Sequence, residues 1–472
     1  MTDALIQDLK AALGESAVLT DAGDLAPVLE EQRGLYHGAS PALVKPANTA
    51  EVAQVVKICA AHDVAIVPQG GNTGLVGGGV PDGQVVLSLE RMNKVLSVDP
   101  VNLTMEVEAG AILATIQDAA EDAGAYFPLS LGAEGSCRIG GNLSTNAGGV
   151  HVVRYGNARD LVLGLEVVLA DGRVWNGMRG LRKDNTGYDL KSLFLGAEGT
   201  LGIITRAVLR LYPKLQSKTV ALAGCGSFDQ ALELFHMARA RAGDVLMACE
   251  TMSGFALSLA EKHVEGVASP LEGRHEVYVL LEFGSTDPNA DLPALMEAAL
   301  TDAYEATVIE DAVIAHSGAQ SEAIWKIRET IPEAQKKEGG SIKHDVAVPV
   351  SRTPEFIARA SALVTDLIPG VRPVTFGHLG DGNIHFNLTQ PEGADKKEFL
   401  SQWHTVNAHV HDLVAAMGGS FSAEHGIGQL KTGEMIRLKS ETELDLMRAV
   451  KTALDPENRL NPGKVIPPKD AL

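Results

Sequence analysis

Basic residues are scarce in this 472-residue chain, where 40 Lys and Arg stand against 60 Asp and Glu for a formal net charge of −20. That balance repels phosphate backbones and anionic lipid, which argues against nucleic acid or a membrane surface as partner. Aromatics are only 4 % of the residues, so the core is expected to be built from Val, Leu, Ile and Ala. Cys59, Cys137, Cys225 and Cys249 are scattered with no C-x-x-C pair, which excludes a disulfide frame or a thiolate metal site. They fit the reduced thiols of a cytoplasmic protein. No apolar run approaches the length of a membrane span, and the first residues read as an acidic amphipathic helix rather than a signal peptide. Neither a G-x-x-x-x-G-K-[ST] loop nor a G-x-G-x-x-G fingerprint occurs, so P-loop and Rossmann readings have no support.

What the chain has instead is glycine, concentrated in three tracts. Pro68-Gln-Gly-Gly-Asn-Thr-Gly-Leu-Val-Gly-Gly-Gly79 follows the expected strand Val64-Ala-Ile-Val-Pro68. Glycines there let backbone N–H groups converge on an anion without Cβ clashes. The second tract, from Gly132 to Gly149, is too long and too rich in small polar residues for an ordinary connection. The third, Leu195-Gly-Ala-Glu-Gly-Thr-Leu-Gly-Ile-Ile204, runs into another strand. Any one could be a linker, but three beside strands favour a ligand cradle.

A chain this long exceeds one hydrophobic core, so two or three domains are expected. Asn48 and Glu51 start a capped helix with the apolar stripe Val52, Val55, Val56 and Cys59. Near Tyr212-Pro213-Lys214 the glycine-rich pattern gives way to regular strand and helix alternation. This predicts a first domain over residues 1–215 and a second over 216–454, with split βαβ units and helices on one sheet face. The turn-rich segment 455–472 is expected to return to the first domain.

Two histidines bracket a turn in Phe376-Gly-His378-Leu-Gly-Asp-Gly-Asn-Ile-His385-Phe-Asn387. If Asp381-Gly382 is a two-residue hairpin turn, His378 lies directly opposite His385, and Asn387 projects to the same face. A metal site needs a third donor, and Glu424 in Ser422-Ala-Glu-His-Gly-Ile-Gly428 is the candidate. Neighbours in a strand point to opposite faces, so Glu424 and His425 can share a site only from irregular backbone.

These glycine tracts, the His378 hairpin, Ala423-Glu-His-Gly-Ile-Gly428 and Asn461-Pro-Gly-Lys464 together resemble the FAD-linked D-2-hydroxyacid dehydrogenases, in the family's order from about Val44 to Pro467. Within it the nearer likeness is to the D-2-hydroxyglutarate dehydrogenases, with D-lactate and glycolate dehydrogenases as broader relatives. The resemblance implies an α+β protein: a vanillyl-alcohol-oxidase (PCMH)-type FAD domain followed by a ferredoxin-like substrate cap. It implies that Pro68, Gly70, Gly71, Asn72, Thr73, Gly74, Leu75, Gly77 and Gly78 wrap the FAD pyrophosphate. Pro128, Gly132, Ser136, Gly140, Gly141, Asn142, Ser144, Thr145, Asn146 and Gly149 would line the ribityl chain and flavin rings. Glu198, Gly199, Gly202, Ile203, Ile204 and Asn461 would join them. Some relatives tether flavin through a histidine in the pyrophosphate loop; residues 68–83 contain none, so dissociable FAD is expected.

The implied reaction oxidises a D-2-hydroxy acid to the 2-oxo acid, with hydride passing to FAD. His378, His385 and Glu424 would hold a divalent cation that polarises the hydroxyl, Zn²⁺ by ligand type, with Mn²⁺ or Fe²⁺ also compatible. His425 would be the base, and Arg328, Lys343 and Asn387 would contact the substrate, the first two as carboxylate clamps. Arg328 lies just beside the expected buried stripe Ile324, Ile327, Ile331 and Ala334 of its helix. Where the hydroxyglutarate enzymes are expected to carry a substrate-contacting threonine this chain has Pro332, which should kink or stop the helix. D-2-hydroxyglutarate is therefore the first substrate expected, with D-lactate or glycolate as the alternative. A non-catalytic FAD-binding subunit is the reading from another class. An electron-transfer flavoprotein or quinone as acceptor, and a homodimer, complete the expectations.

Overall fold

The computed structural model describes residues 2–467. Two compact units emerge: residues 2–148, 157–214 and 424–467 form the first, and Gly149–Gly156 with Leu215–Ala423 form the second. The return to the first unit thus comes at Glu424 rather than at 455, and residues 468–472 of the expected C-terminal segment lie outside the described residues. The physical reason lies in the helix Glu441–Leu454, whose Lys451 donates to the carbonyls of Thr200 and Leu460 and to Asp455. Helical periodicity alone carries no label for the sheet a helix packs on.

In the first unit, the helix Thr49–Ala61 begins as its sequence dictates, with the Asn48 side chain accepting from the Glu51 N–H and Val52, Val55, Val56 and Cys59 buried. It leads into Ile66–Gln69, which pairs in parallel with Val85–Ser88. Val18–Leu19 and Leu43–Val44 complete this four-stranded sheet. A second sheet is antiparallel throughout, in the order Val95–Asp99, Thr104–Glu108, Ile203–Arg210, Val162–Val168, Val174–Gly177. The first glycine tract leaves its sheet at Gln69 and the third enters the other at Ile203, whereas the second carries the short helix Ile139–Ser144.

The second unit is built on one antiparallel sheet of eight strands. Its order is Asp311–Ile314, Ser217–Cys225, Val277–Ser285, Leu246–Ser253, Arg372–His378, Asn383–Thr389, Ser341–Ile342, with Asp345–Ala347 also paired to Asn383–Thr389. Helices cover both faces, not one. Phe228–Ala242 and Leu292–Glu305 pack on Ala221, Val279, Leu281 and Phe283, while Thr353–Leu367 and Trp403–Ala416 pack on Ile384, Phe386 and Leu388. On the other face, Gly254–His263 and Gly318–Lys336 cover Leu222, Leu280, Val374 and Phe376. The unexpected helix Gly254–His263 explains the difference. Central strands such as Val277–Ser285 are buried at every position, so apolar side chains need cover on both sides.

Helix Gly318–Lys336 runs through Pro332 and continues to Lys336, so the expected stop is overturned. Proline costs this helix an N–H and about 3 kcal/mol. Burial of Ile324, Ile327 and Ile331 on the same helix offsets that cost, each large apolar side chain contributing roughly 1.5–3 kcal/mol.

Candidate functional site

The hairpin that carries the two histidines differs in register from the two-residue turn expected. Leu379–Gly382 form a four-residue loop, and His378 pairs with Asn383 while His385 pairs with Phe376. The partner of His378 has moved by two residues, and side chains alternate with period two, so both imidazoles still share a face. Their ring centroids lie 5.6 Å apart, as a diagonal rather than a directly opposed pair. Asn387, buried on the same face, donates from its side-chain amide to Gln335 Oε1 at 3.0 Å. Lys343 is half-buried, and the register Ile342↔Leu388 and Asp345↔His385 on either side of it sets it level with Asn387.

One buried carboxylate organises this face. Glu250, the cross-strand partner of His378, is fully buried. Its Oε1 lies 2.6 Å from His378 Nδ1 and its Oε2 accepts from Arg328 Nε at 2.8 Å. Burial alone would raise the Glu250 carboxyl, but the His378 imidazole beside it and the Arg328 guanidinium outweigh it and hold the group below its ordinary value. Arg328, 7 % exposed, also lies over the Phe376 ring at 4.7 Å. Among the described residues its two Nη groups bond to no protein acceptor, so the guanidinium is pinned along one edge and available along the other. Sequence reasoning did not find Glu250. It sits in a run of apolar strand residues, and only the sheet pairing reveals that it faces His378.

In the first unit the glycine tracts converge on one cavity. It is lined by Pro68, Gly70, Gly71, Asn72, Thr73, Gly74, Gly77, Gly78, Gly140, Gly141, Asn142, Ser144, Thr145, Glu198, Gly199, Gly202, Ile203 and Ile204 of the expected set. Leu75, Pro128, Gly132, Ser136, Asn146 and Asn461 do not line it, and Gly149 belongs to the second unit. Asn461 has a different place, its amide donating to the carbonyls of Gly78 and Glu198 and bracing two of the tracts together. His425 also lines the cavity. So does Arg138, whose place as the one cation inside the second tract was a readable signal.

The cavity suits a large anionic cofactor. Among the described residues, none of the N–H groups of Gly70 to Gly78 is spent on a protein acceptor, and Asn72 and Gly77 take positive φ, which curls the chain into a nest. A side chain on Gly71 would put its Cβ 2.3 Å from the Ser136 carbonyl oxygen, whereas one on Gly74 or Gly141 would meet no protein atom within 4 Å. The first glycine is thus required by close packing of the chain, and the other two leave open surface. Glu198, buried, accepts from the N–H groups of Ile427 at 2.7 Å and Gly428 at 2.8 Å. Burial raises its carboxyl above the ordinary value, against the pull of those two N–H groups, Lys431 and Lys464. This clasp fixes the loop that carries Glu424 and His425, which has the irregular backbone expected of it.

The architecture is similar to p-cresol methylhydroxylase (TM-score 0.78, 19 % identity, covering 98 % of this chain and 96 % of that one). It is also similar to 4-ethylphenol oxidase from Gulosibacter chungangensis (TM-score 0.75, 20 % identity, 100 % and 98 % covered). The fold is that of the vanillyl-alcohol-oxidase-type FAD proteins. A family model described as FAD linked oxidases, C-terminal domain, matches residues 214–465, and one described as FAD binding domain matches residues 40–177. The D-2-hydroxyglutarate dehydrogenase of Xanthomonas citri pv. viticola is 38 % identical over 472 residues, 100 % of this chain and 98 % of its own length. The probable mitochondrial D-2-hydroxyglutarate dehydrogenase of Oryza sativa subsp. indica is 41 % identical over 460 residues, 97 % of this chain and 81 % of its own. The chain belongs to the FAD-linked oxidase family and is an FAD-dependent oxidoreductase.

Proposed function

We propose that this protein oxidises a D-2-hydroxy acid to the 2-oxo acid, D-2-hydroxyglutarate first among them. The observation that carries the reading is the Arg328 guanidinium, pinned by Glu250 along one edge and presenting two Nη groups on a face that also holds Lys343 and Asn387. Such a fork recognises a carboxylate in bidentate fashion, and the level ammonium adds a point charge. Relatives named for D-2-hydroxyglutarate at 37–41 % identity support the same substrate class.

FAD, when bound, supplies the hydride acceptor. The N–H groups of Gly70 to Gly78 would hold its pyrophosphate. A divalent cation, when bound, would supply Lewis acidity to the substrate hydroxyl, and the nitrogen and carboxylate donors His378, His385 and Glu424 suit Zn²⁺. Arg328 and Lys343 bind and orient the carboxylates, Asn387 fixes the substrate's polar edge, and His425 takes the hydroxyl proton. Pro332 supplies no hydroxyl where a five-carbon dicarboxylate would be expected to meet one, and this favours D-lactate or glycolate as the second reading.

An anaerobic screen of flavin bleaching over D- and L-2-hydroxy acids, with and without a chelator, tests the proposal. D-2-hydroxyglutarate should bleach the yellow protein fastest, and Arg328→Met should raise its KM by tens of fold, the ~1.5–3 kcal/mol of a charged hydrogen-bonded contact. A flavin that no 2-hydroxy acid bleaches would overturn the reading, and a preference for D-lactate would establish the second one.

A further inference from the structure

We propose that Glu250 is the positioning residue of this site, one buried carboxylate that fixes both the histidine tautomer needed for a cation and the arginine edge needed for a carboxylate. The inference deepens the reading above and rests on it for the substrate arm only.

The argument begins with what a fully buried carboxylate requires. An unpaired charge there would cost several kcal/mol, so each oxygen must accept a strong hydrogen bond. Glu250 has two such partners, His378 Nδ1 at 2.6 Å and Arg328 Nε at 2.8 Å. Arg328 can only donate. His378 must then carry a proton on Nδ1, so that in the neutral imidazole the lone pair is on Nε2, the form that ligates a cation. The same carboxylate takes the Nε edge of Arg328, which turns the two Nη groups to the other side. The guanidinium carbon also lies over the Phe376 ring, 4.7 Å from its centre, which holds it on this face. Strand pairing locks the arrangement, because Glu250 and His378 are cross-strand partners, and His385 stands opposite Phe376 two pairs further along. Anion recognition and cation ligation are therefore wired through a single side chain that touches neither ligand. Loss of the Glu250 charge should disturb both at once, which loss of Arg328 or of His378 alone would not.

The test uses the full-length flavoprotein labelled with ¹⁵N-histidine. In the wild type, before zinc is added, His378 should give a protonated Nδ1 and an unprotonated Nε2, the signals being assigned by their loss in His378→Gln. Glu250→Gln keeps the shape and removes the charge. It should mix the two tautomers, weaken Zn²⁺ binding measured against a chromophoric chelator by about 10–100-fold, and raise KM for D-2-hydroxyglutarate with a smaller change in kcat. Glu250→Asp, which keeps the charge, should restore part of both affinities. An unprotonated Nδ1 in the wild type would overturn the proposal even if both Glu250 variants failed to fold. So would Glu250→Gln protein with wild-type zinc affinity and KM. A protein that shows the expected tautomer and zinc response but oxidises no hydroxy acid would sink the functional reading and leave this one standing.

Discussion

Individual side chains here divide into those whose role follows from residue type and those whose role follows from a neighbour. His425 is of the first kind. It lines the glycine cavity on a loop clasped by Glu198, and an imidazole is the side chain suited to moving a proton near neutral pH. His425→Asn should slow flavin reduction by about 10²–10⁴-fold with little change in substrate affinity, read by stopped-flow bleaching. An unchanged reduction rate would remove it from the proton transfer. Glu250 and Glu198 are of the second kind, acidic residues whose buried hydrogen bonds no local pattern specifies, although the glycine tract around Glu198 marked its place. Their partners, His378 with Arg328 and Ile427 with Gly428, lie far away in sequence. The cysteines illustrate burial deciding chemistry, since desolvation pushes the Cys59 and Cys225 thiols up to about 12 and leaves no thiolate near neutrality.

At the scale of elements, the helix Gly318–Lys336 shows packing overriding local preference at Pro332. Pro332→Ala is expected to raise the unfolding temperature, because it restores an N–H to a helix already held by its buried face, as thermal melting would show. The end of that helix region is tied to its surroundings through Glu338, which accepts from Lys262, His263 and Arg372. Bonds from Lys262, then His263 and Arg372, lower its carboxyl to about 2. A depressed folded value means that the stabilisation is complete above the unfolded carboxylate range of about 4.3 and is lost as pH falls from there towards 2. Glu338→Gln should therefore lower stability at pH 7 and flatten the acid side of the stability profile between those limits, measured by urea unfolding across pH. The hairpin's same-face histidines were legible in advance because alternation survives a two-residue change of register. The pairing itself was not, because four loop residues and two loop residues fit the same glycine-rich string.

For the whole molecule, the missing histidine in residues 68–83 leaves nothing in that loop to bond flavin covalently, so FAD should be released by acid precipitation. Yellow colour remaining in the washed pellet would contradict this. The sequence by itself determined the family, the glycine cradle, the acidic surface and the side chains available for chemistry. Those depend on residue type and on short spacing, which the chain carries wherever it folds. It also determined the capped helix at Asn48 and the buried stripe of the arginine helix, because caps and periodicity are local. Tertiary structure alone decided that helices cover both faces of the eight-stranded sheet and that residues 424–454 return to the first unit. It likewise decided that Gly149 leaves the first unit, and that one buried glutamate joins His378 to Arg328. Each of those outcomes rests on contacts between segments distant in the chain, and an amphipathic stripe states only that a partner is needed, not which one.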